Sequence, residues 1–444
     1  MSNIVDELYS VADYIIEKSL NRGATEVEVY AIHTRSAEAL IHNNKLHTAT
    51  ELREIGVGIR VAIGKKVGFS YTNRLDSDSL ISAVEYALNV AKGTPEDKFW
   101  RGFPGGPFTY TTPSNVFSDA LAQRTASDAV ERVREVLDYA LRDKRITVVY
   151  AGLSYSMYEH VIVNSNGVHG NDKGTSTFLG VEVVANEAGY TTPSIYESCI
   201  HRVSECDVKV LVERVVDKAL KALKPIKIGI GTYDVVLEPE ALATLFNYTL
   251  KPALRGDNVI RNRSPLKGKE GTQIASKTFT VVDDGLVPGG PATSKFDGEG
   301  VPKRRTELIV RGVLRGFIYD TYWGRRAEKQ STGNAVRASY ATQPSIGFSN
   351  FIISCGTESI ESYINKCERA VLVADIQGAH SSNPETGEFS VVANPSWIVS
   401  KGEMKALKGV MLAGNIWKLI KRIEYLSKEV KTVRSSIIPW IAFS

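Results

Sequence analysis

The sequence predicts an α+β protein, and three observations carry that prediction. Apolar residues fall into short alternating runs bounded by Gly and Asn turn signals, the pattern of antiparallel strands. Helical periods occupy separate stretches instead of alternating with single strands. The chain has 444 residues, more than one small core organises, so several domains are expected.

Residues 4–20 place Ile4, Leu8, Val11, Ile15 and Leu20 close to a helical period, and Gly23 supplies a stop. Glu26-Val-Glu-Val-Tyr30 alternates like a half-buried strand. Further strands are expected over 37–49 and 55–72, the second turning at Gly64-Lys65-Lys66. Ser77 is placed to cap a helix carrying Leu80, Val84, Ala87 and Leu88 that ends near Gly93. Residues 1–93 thus form an N-terminal α/β domain.

Residues 94–118 form a connector rich in Gly, Pro and aromatics, and Trp100, Phe103, Phe108 and Tyr110 are expected to pack it onto a surface. A charged helix follows at about 119–143. From Ile146 to Arg202 an antiparallel meander is expected, with turns at Asn164–Gly167 and Asn171-Asp172. A helix over 207–223 carries Val208, Leu211, Val215 and Leu220 on one face, and Pro225 ends it. These elements make a middle domain, 119–224. The C-terminal domain, 225–444, is large and β-rich, with a helix near 239–252 and a last helix near 414–428.

Composition excludes several classes. The chain is 43% hydrophobic and 23% charged, and its net charge of +4 is spread along the length. That charge does not argue for nucleic acid or an anionic membrane. No run of apolar residues is long enough to span a bilayer, and the first twenty residues lack a secretory h-region, so the expected location is cytoplasmic. Cys199, Cys206, Cys355 and Cys367 form no C-x-x-C pair. They read as reduced structural thiols, with a Cys199–Cys206 bridge as the alternative.

The densest chemistry lies between Phe296 and Ala335. Gly298, Gly300, Gly312, Gly316 and Gly333 let a second backbone approach or a chain turn sharply. Such a block suits a cleft that holds an extended peptide by main-chain hydrogen bonds, and equally suits plain hairpins. Asp283, Asp284, Asp297 and Glu299 read as turn and cap residues before an acid–base pair. Arg304-Arg305 and Arg325-Arg326 read as solvated pairs, or as holders of a carboxylate. His42 and His47, five apart on an expected strand, point to opposite sides. His380 reads as a lone loop histidine. There is no G-x-S-x-G elbow and no phosphate loop.

An ordered set of motifs resembles the TldD/PmbA family, the two-subunit zinc proteases once called modulators of DNA gyrase. The set comprises Gly56-Val-Gly-Ile-Arg60, Gly68-Phe-Ser-Tyr-Thr-Asn73, Val281-Val-Asp-Asp-Gly285 and Phe296-Asp-Gly-Glu-Gly-Val-Pro302. It continues with Gly312-Val-Leu-Arg-Gly316, Ser331-Thr-Gly-Asn334, Asn383-Pro-Glu-Thr-Gly387 and Ala413-Gly-Asn415. The resemblance spans nearly the whole chain. Catalytic members carry His-Glu-x-x-x-His on the helix after a strand that here is Asp234–Leu237. Aligned without gaps, Asn247, Tyr248 and Pro252 stand opposite the first His, the Glu and the second His. The family's third ligand is a C-terminal cysteine, and no cysteine follows Cys367.

This chain therefore resembles the PmbA/TldE-like branch, which lacks the motif. The resemblance implies a non-catalytic subunit with no metal of its own. Zinc is expected in a TldD-like partner that bears His-Glu-x-x-x-His, as a heterodimer acting on unfolded peptides or small proteins. Asp297, Glu299, Gly300, Thr332, Gly333 and Asn334 are the expected peptide-cleft residues, and no catalytic residue is assigned. Two alternatives stay open: a peptide-binding or regulatory homodimer without chemistry, and an independent hydrolase centred on Asp283, Asp297 and Glu299.

Overall fold

The computed structural model describes residues 4–444, so the first three residues of the expected N-terminal domain lie outside it. The fold is α+β. Its first layer is a sheet built from unusually long strands: β1 (Glu26–His42), β2 (Lys45–Ile63), β3 (Lys66–Thr72), β4 (Ile146–Asn164), β5 (His169–Glu187), β6 (Tyr190–Thr191) and β7 (Ile195–His201). Spatial order is β3-β2-β1-β4-β5, with β6 and β7 both pairing β5, and every pairing is antiparallel. The sheet runs unbroken from the segment before the connector into the segment after it.

Strands of this length need cover on both halves. Helices α1 (Ile4–Leu20) and α2 (Ser77–Gly93) lie over one half, burying Leu8, Ile15, Val84 and Leu88 against Val29, Ile59 and Val161. Helices α3 (Asp119–Ala122), α4 (Ala126–Ala140) and α5 (Val208–Lys221) follow, and α4 and α5 cover the other half. There Val133, Val136 and Val215 pack on Leu153, Leu179 and Val181.

Several elements depart from expectation for local reasons. The strands expected over 37–49 and 26–30 are parts of two longer ones, because Asn43 and Asn44 both adopt left-handed φ and make the hairpin turn. That turn also corrects the histidine reading: His42 and His47 sit on adjacent strands, rings edge-on at 5.1 Å. Asn171-Asp172 is not a turn but lies within β5, where Asp172 pairs with His160 of β4. The helix expected at 119–143 is broken, because Thr125 and Asp128 form a capping box that starts α4 afresh. Asp76, not Ser77, caps α2, accepting from the Ser79 amide at 3.0 Å. Cys199 and Cys206 are disulfide-bonded, which corrects the reading of four reduced thiols.

The C-terminal unit is a ten-stranded mixed sheet with two parallel pairs. At its centre β8 (Val235–Leu237) lies between strand Ser436–Phe443 and strand Ala370–Val373. Helix α6 (Pro239–Tyr248) follows β8, and Phe246 packs with Phe279 and Phe351 in the core. The last helix is only Ile416–Leu419. The expected continuation to 428 is strand Ile423–Val433, which folds back on Ser436–Phe443 through Arg434 in left-handed conformation. Hairpin pairing overrides whatever helical period that stretch holds. One core is shared across units, with Val236, Leu372, Trp397 and Ala442 packing among the residues under α4 and α5. Among the described residues no helix is long and apolar enough to cross a membrane.

Candidate functional site

The glycine-rich block folds against the first sheet, and buried charge ties the two together. Arg60 of β2 donates to both oxygens of Glu28 of β1 at 2.7 and 2.6 Å, and to Glu299 Oε1 at 3.1 Å. Arg337 pairs with Glu28 as well. All four side chains are nearly inaccessible, so each charge depends on its partners. Burial works against the Glu299 carboxylate, yet Arg60 and the Thr321 amide hold it below its ordinary range.

The neighbouring acids move the other way. Burial, with Glu299 nearby, pushes Asp297 and Asp320 up to about 7. Burial raises Asp283 to about 6, against Lys303 and an Asn334 hydrogen bond. Asp297 accepts the amides of Glu299 and Val301 at 2.8 and 3.0 Å and that of Ala335 at 3.0 Å, which fixes the loop. Asn334 donates to Asp283 at 2.6 Å, and Thr332 receives the Tyr319 amide at 2.7 Å. Gly300 and Gly333 have φ of 79° and 76°, left-handed values that glycine adopts without strain.

Beside this block lies a cavity of about 480 Å³ whose walls include Tyr30, Tyr158 and His160 from β1 and β4, and Phe296, Asp297 and Arg337 from the block. His160 is packed edge-on to Phe296 at 5.2 Å. Burial, with Lys295 and Arg337 near, drives its pKa down to about 3, so it is neutral at pH 7. Of the expected cleft residues, Asp297 lines this cavity. Glu299 lies in the ion cluster, Thr332 and Asn334 sit buried in the hydrogen-bond network, and Gly300 and Gly333 make bends.

The basic pairs and acidic turns have specific partners. Arg325 donates to the carbonyls of Arg101, Gly102 and Phe103, and Arg326 stacks over Phe99. These arginines clamp the connector and are not free in solvent, contrary to expectation. Asp284 caps a turn through the Leu286 amide, whereas Asp283 accepts the Ser349 amide across strands.

A second cavity, of about 410 Å³, opens beside α6. Asn247, Tyr248, Lys251 and Ser436 line it. Helix α6 ends at Tyr248, and Thr249 Oγ1 turns back to the Leu245 carbonyl at 2.7 Å. Lys251 follows on the short helix Leu250–Ala253 and donates to Ser436 Oγ at 2.8 Å. Its ammonium lies 4.9 Å from the Phe351 ring centre and 5.7 Å from that of Phe348. Burial pushes its pKa down to about 8, with Asp283 opposing and Arg434 assisting.

Beyond the cavity's acidic end is a further ion network. Lys218 donates to Glu197 and Glu238 at 2.5 and 2.6 Å, and Lys431 pairs with Glu197 and Glu240. Burial and Glu197 raise Glu240 to about 7. Sequence reasoning missed Lys251, Arg434 and this network. A lone Lys in a helix and an Arg in a hairpin carry no spacing signal.

Zinc takes thiolate, imidazole or carboxylate donors at about 2.0–2.3 Å. Asn247 and Tyr248 offer an amide and a phenol, Pro252 offers nothing, and the Lys251 ammonium stands among them. This donor set does not fit zinc. Among the described residues the ligand-type side chains that cluster are Cys199, His201 and Cys206, and their two sulfurs are bonded to each other.

Three family models match the chain in order: PmbA/TldA metallopeptidase domain 1 over 27–91, the central domain over 119–223, and the C-terminal domain over 230–444. An uncharacterised protein of Methanocaldococcus jannaschii is 32% identical over 366 residues, covering 82% of this chain and 83% of its own. A metalloprotease TldD homolog of Haemophilus influenzae is 26% identical over 390 residues, 84% of this chain and 79% of its own. The crystal structure of TldE from Thermococcus kodakarensis superposes with a TM-score of 0.92 at 29% identity, over 98% of both chains.

Proposed function

Because the chain belongs to the PmbA/TldA metallopeptidase family, we propose that it is the non-catalytic subunit of a zinc metalloprotease that acts on unfolded peptides. One observation carries the reading: Asn247 and Tyr248 at the end of α6, and Lys251 and Pro252 on the short helix after it, occupy the stretch where catalytic relatives are expected to hold metal, and they offer no imidazole, thiolate or carboxylate. The likeness to a TldE chain supports the same branch. The partner, a homologue bearing His-Glu-x-x-x-His, supplies zinc and the base that activates its water.

This chain contributes the cavity between the first sheet and the glycine-rich block, whose mixed aromatic and polar wall suits an extended peptide. The complex is expected to work in the cytoplasm.

The test is metal analysis and peptide cleavage by the chain alone and after co-expression with the motif-bearing homologue. The chain alone is expected to hold no stoichiometric zinc and to cleave nothing, and the co-expressed pair to be active and chelator-sensitive. Stoichiometric zinc in the isolated chain, or activity from it, overturns the reading.

A further inference from the structure

We propose that the cavity beside α6 is a seat for the C-terminal carboxylate of a peptide, held by Lys251 and Arg434. The inference rests on the peptide-holding role above and names what this second cavity recognises.

Two cations reach the cavity, and neither has a carboxylate partner among the described residues. The partners of Lys251 are the Ser436 hydroxyl at 2.8 Å and the faces of Phe351 and Phe348. Arg434 is exposed at the hairpin turn, with no side-chain hydrogen bond or ion pair among the described residues. A largely desolvated ammonium without a direct ion pair is costly, and an anion brought to it recovers that cost.

Two acids, Glu240 and Asp375, also line the cavity. They are engaged at the other end. Glu240 pairs with Lys431, and Asp375 accepts the amide of Ile376, with Lys218 the cation that acts on it. The charges that act on Lys251 are those of Asp283, which favours the ammonium, and Arg434, which opposes it.

Donors for a planar carboxylate surround the cations. Ser436 Oγ accepts from Lys251, which leaves its own hydrogen to donate. The Asn247 amide and Tyr248 hydroxyl make no protein hydrogen bond among the described residues, and both line the cavity. Paired cations with neutral donors bind a carboxylate through charge-assisted hydrogen bonds.

The first cavity points to a peptide as the source. Phe348 lines that cavity, and its ring centre lies 5.7 Å from the Lys251 ammonium. One side chain, Phe348, therefore stands between the first cavity and the cationic seat.

The test uses the full chain and three N-acetylated peptides of one acid-free sequence: a free C-terminal acid, its C-terminal amide, and the amide with a penultimate Glu. Calorimetry at pH 7 is expected to show the acid binding at least about tenfold tighter than the amide, a difference of about 1.4 kcal/mol. Lys251→Met and Arg434→Gln should each reduce that ratio below about threefold, weakening the acid far more than the amide. Only the protonated Lys251 attracts the carboxylate, so the ratio should fall as pH rises past about 8.

Equal binding of acid and amide, or a ratio preserved in Lys251→Met, overturns the seat. Full recovery by the Glu-containing amide overturns the C-terminal assignment. Arg434→Gln alters an exposed side chain and decides the matter even if Lys251→Met fails to fold. Zinc content and co-purification of a partner judge the subunit reading separately, so the two fail by different measurements.

Discussion

Replacing Arg60 by Met strands one particular charge. The substitution removes hydrogen bonds of 2.7 and 2.6 Å to Glu28 and of 3.1 Å to Glu299. Glu28 keeps Arg337 as a counter-charge, but among the described residues Glu299 has no other ion-pair partner. Its remaining support is the Thr321 amide at 2.9 Å. Removing one partner of a buried pair costs about 3–5 kcal/mol, most of it from the unpaired charge left behind. Glu299→Gln alone leaves Arg60 bound to Glu28 and should cost only about 1–2 kcal/mol.

The double variant should then be more stable than Arg60→Met by at least about 1 kcal/mol, since neutralising Glu299 removes the stranded charge. Urea unfolding followed by tryptophan fluorescence reads this, with Trp100, edge-on at 5.1 Å to the Phe103 on which Arg60 stacks, one of the five reporters. An Arg60→Met cost below about 1 kcal/mol would refute the argument. So would additivity of the two changes within about 0.5 kcal/mol.

Other outcomes are expected elsewhere. Asp320, whose folded pKa is raised to about 7, binds a proton between about pH 4 and 7 that the unfolded chain has lost, so native stability falls as pH rises through that window. Asp320→Asn keeps the cap on Trp323 without the charge, and its stability relative to wild type should rise by about 1–3 kcal/mol between pH 5 and 8 in paired urea titrations. Denatured, unreduced protein should show two free thiols, Cys355 and Cys367, and reduction should release two more, with a stability loss of about 2–3 kcal/mol from so short a loop. Arg325→Ala frees the carbonyls of Arg101, Gly102 and Phe103, so limited proteolysis should cut the connector several-fold faster; unchanged cleavage would mean that Phe99, Phe103 and Tyr110 hold it alone.

What was legible in the sequence was local. The helix of Ile4–Leu20, its stop at Gly23 and the turn at Gly64 follow from spacing and backbone freedom. The Asn43-Asn44 turn was also written in residue type but was hidden inside a continuous alternation. The last hairpin was not legible, because Ile423–Val433 is a strand only through its pairing with Ser436–Phe443. The ionic site divides in the same way. Asp297 and Glu299 stood out within a motif, while Glu28 and Arg60, at sequence separations of 271 and 239 from Glu299, are joined to it only by the fold. Lys251 carried no signal because its environment, two phenylalanine faces and a serine, comes from distant strands.

The long sheet sets an order on biosynthesis. β1 cannot gain its second neighbour until Asn164 has been made, since Glu28 pairs with Asn164 and His42 with Tyr150. β8 waits longer, flanked as it is by strands beginning at Ala370 and Ser436. A nascent chain on the ribosome therefore carries open strand edges through most of its translation. Such high contact order slows folding and exposes intermediates to aggregation. For this chain, the last eight residues of strand, Ser436–Phe443, are the step that closes the central sheet.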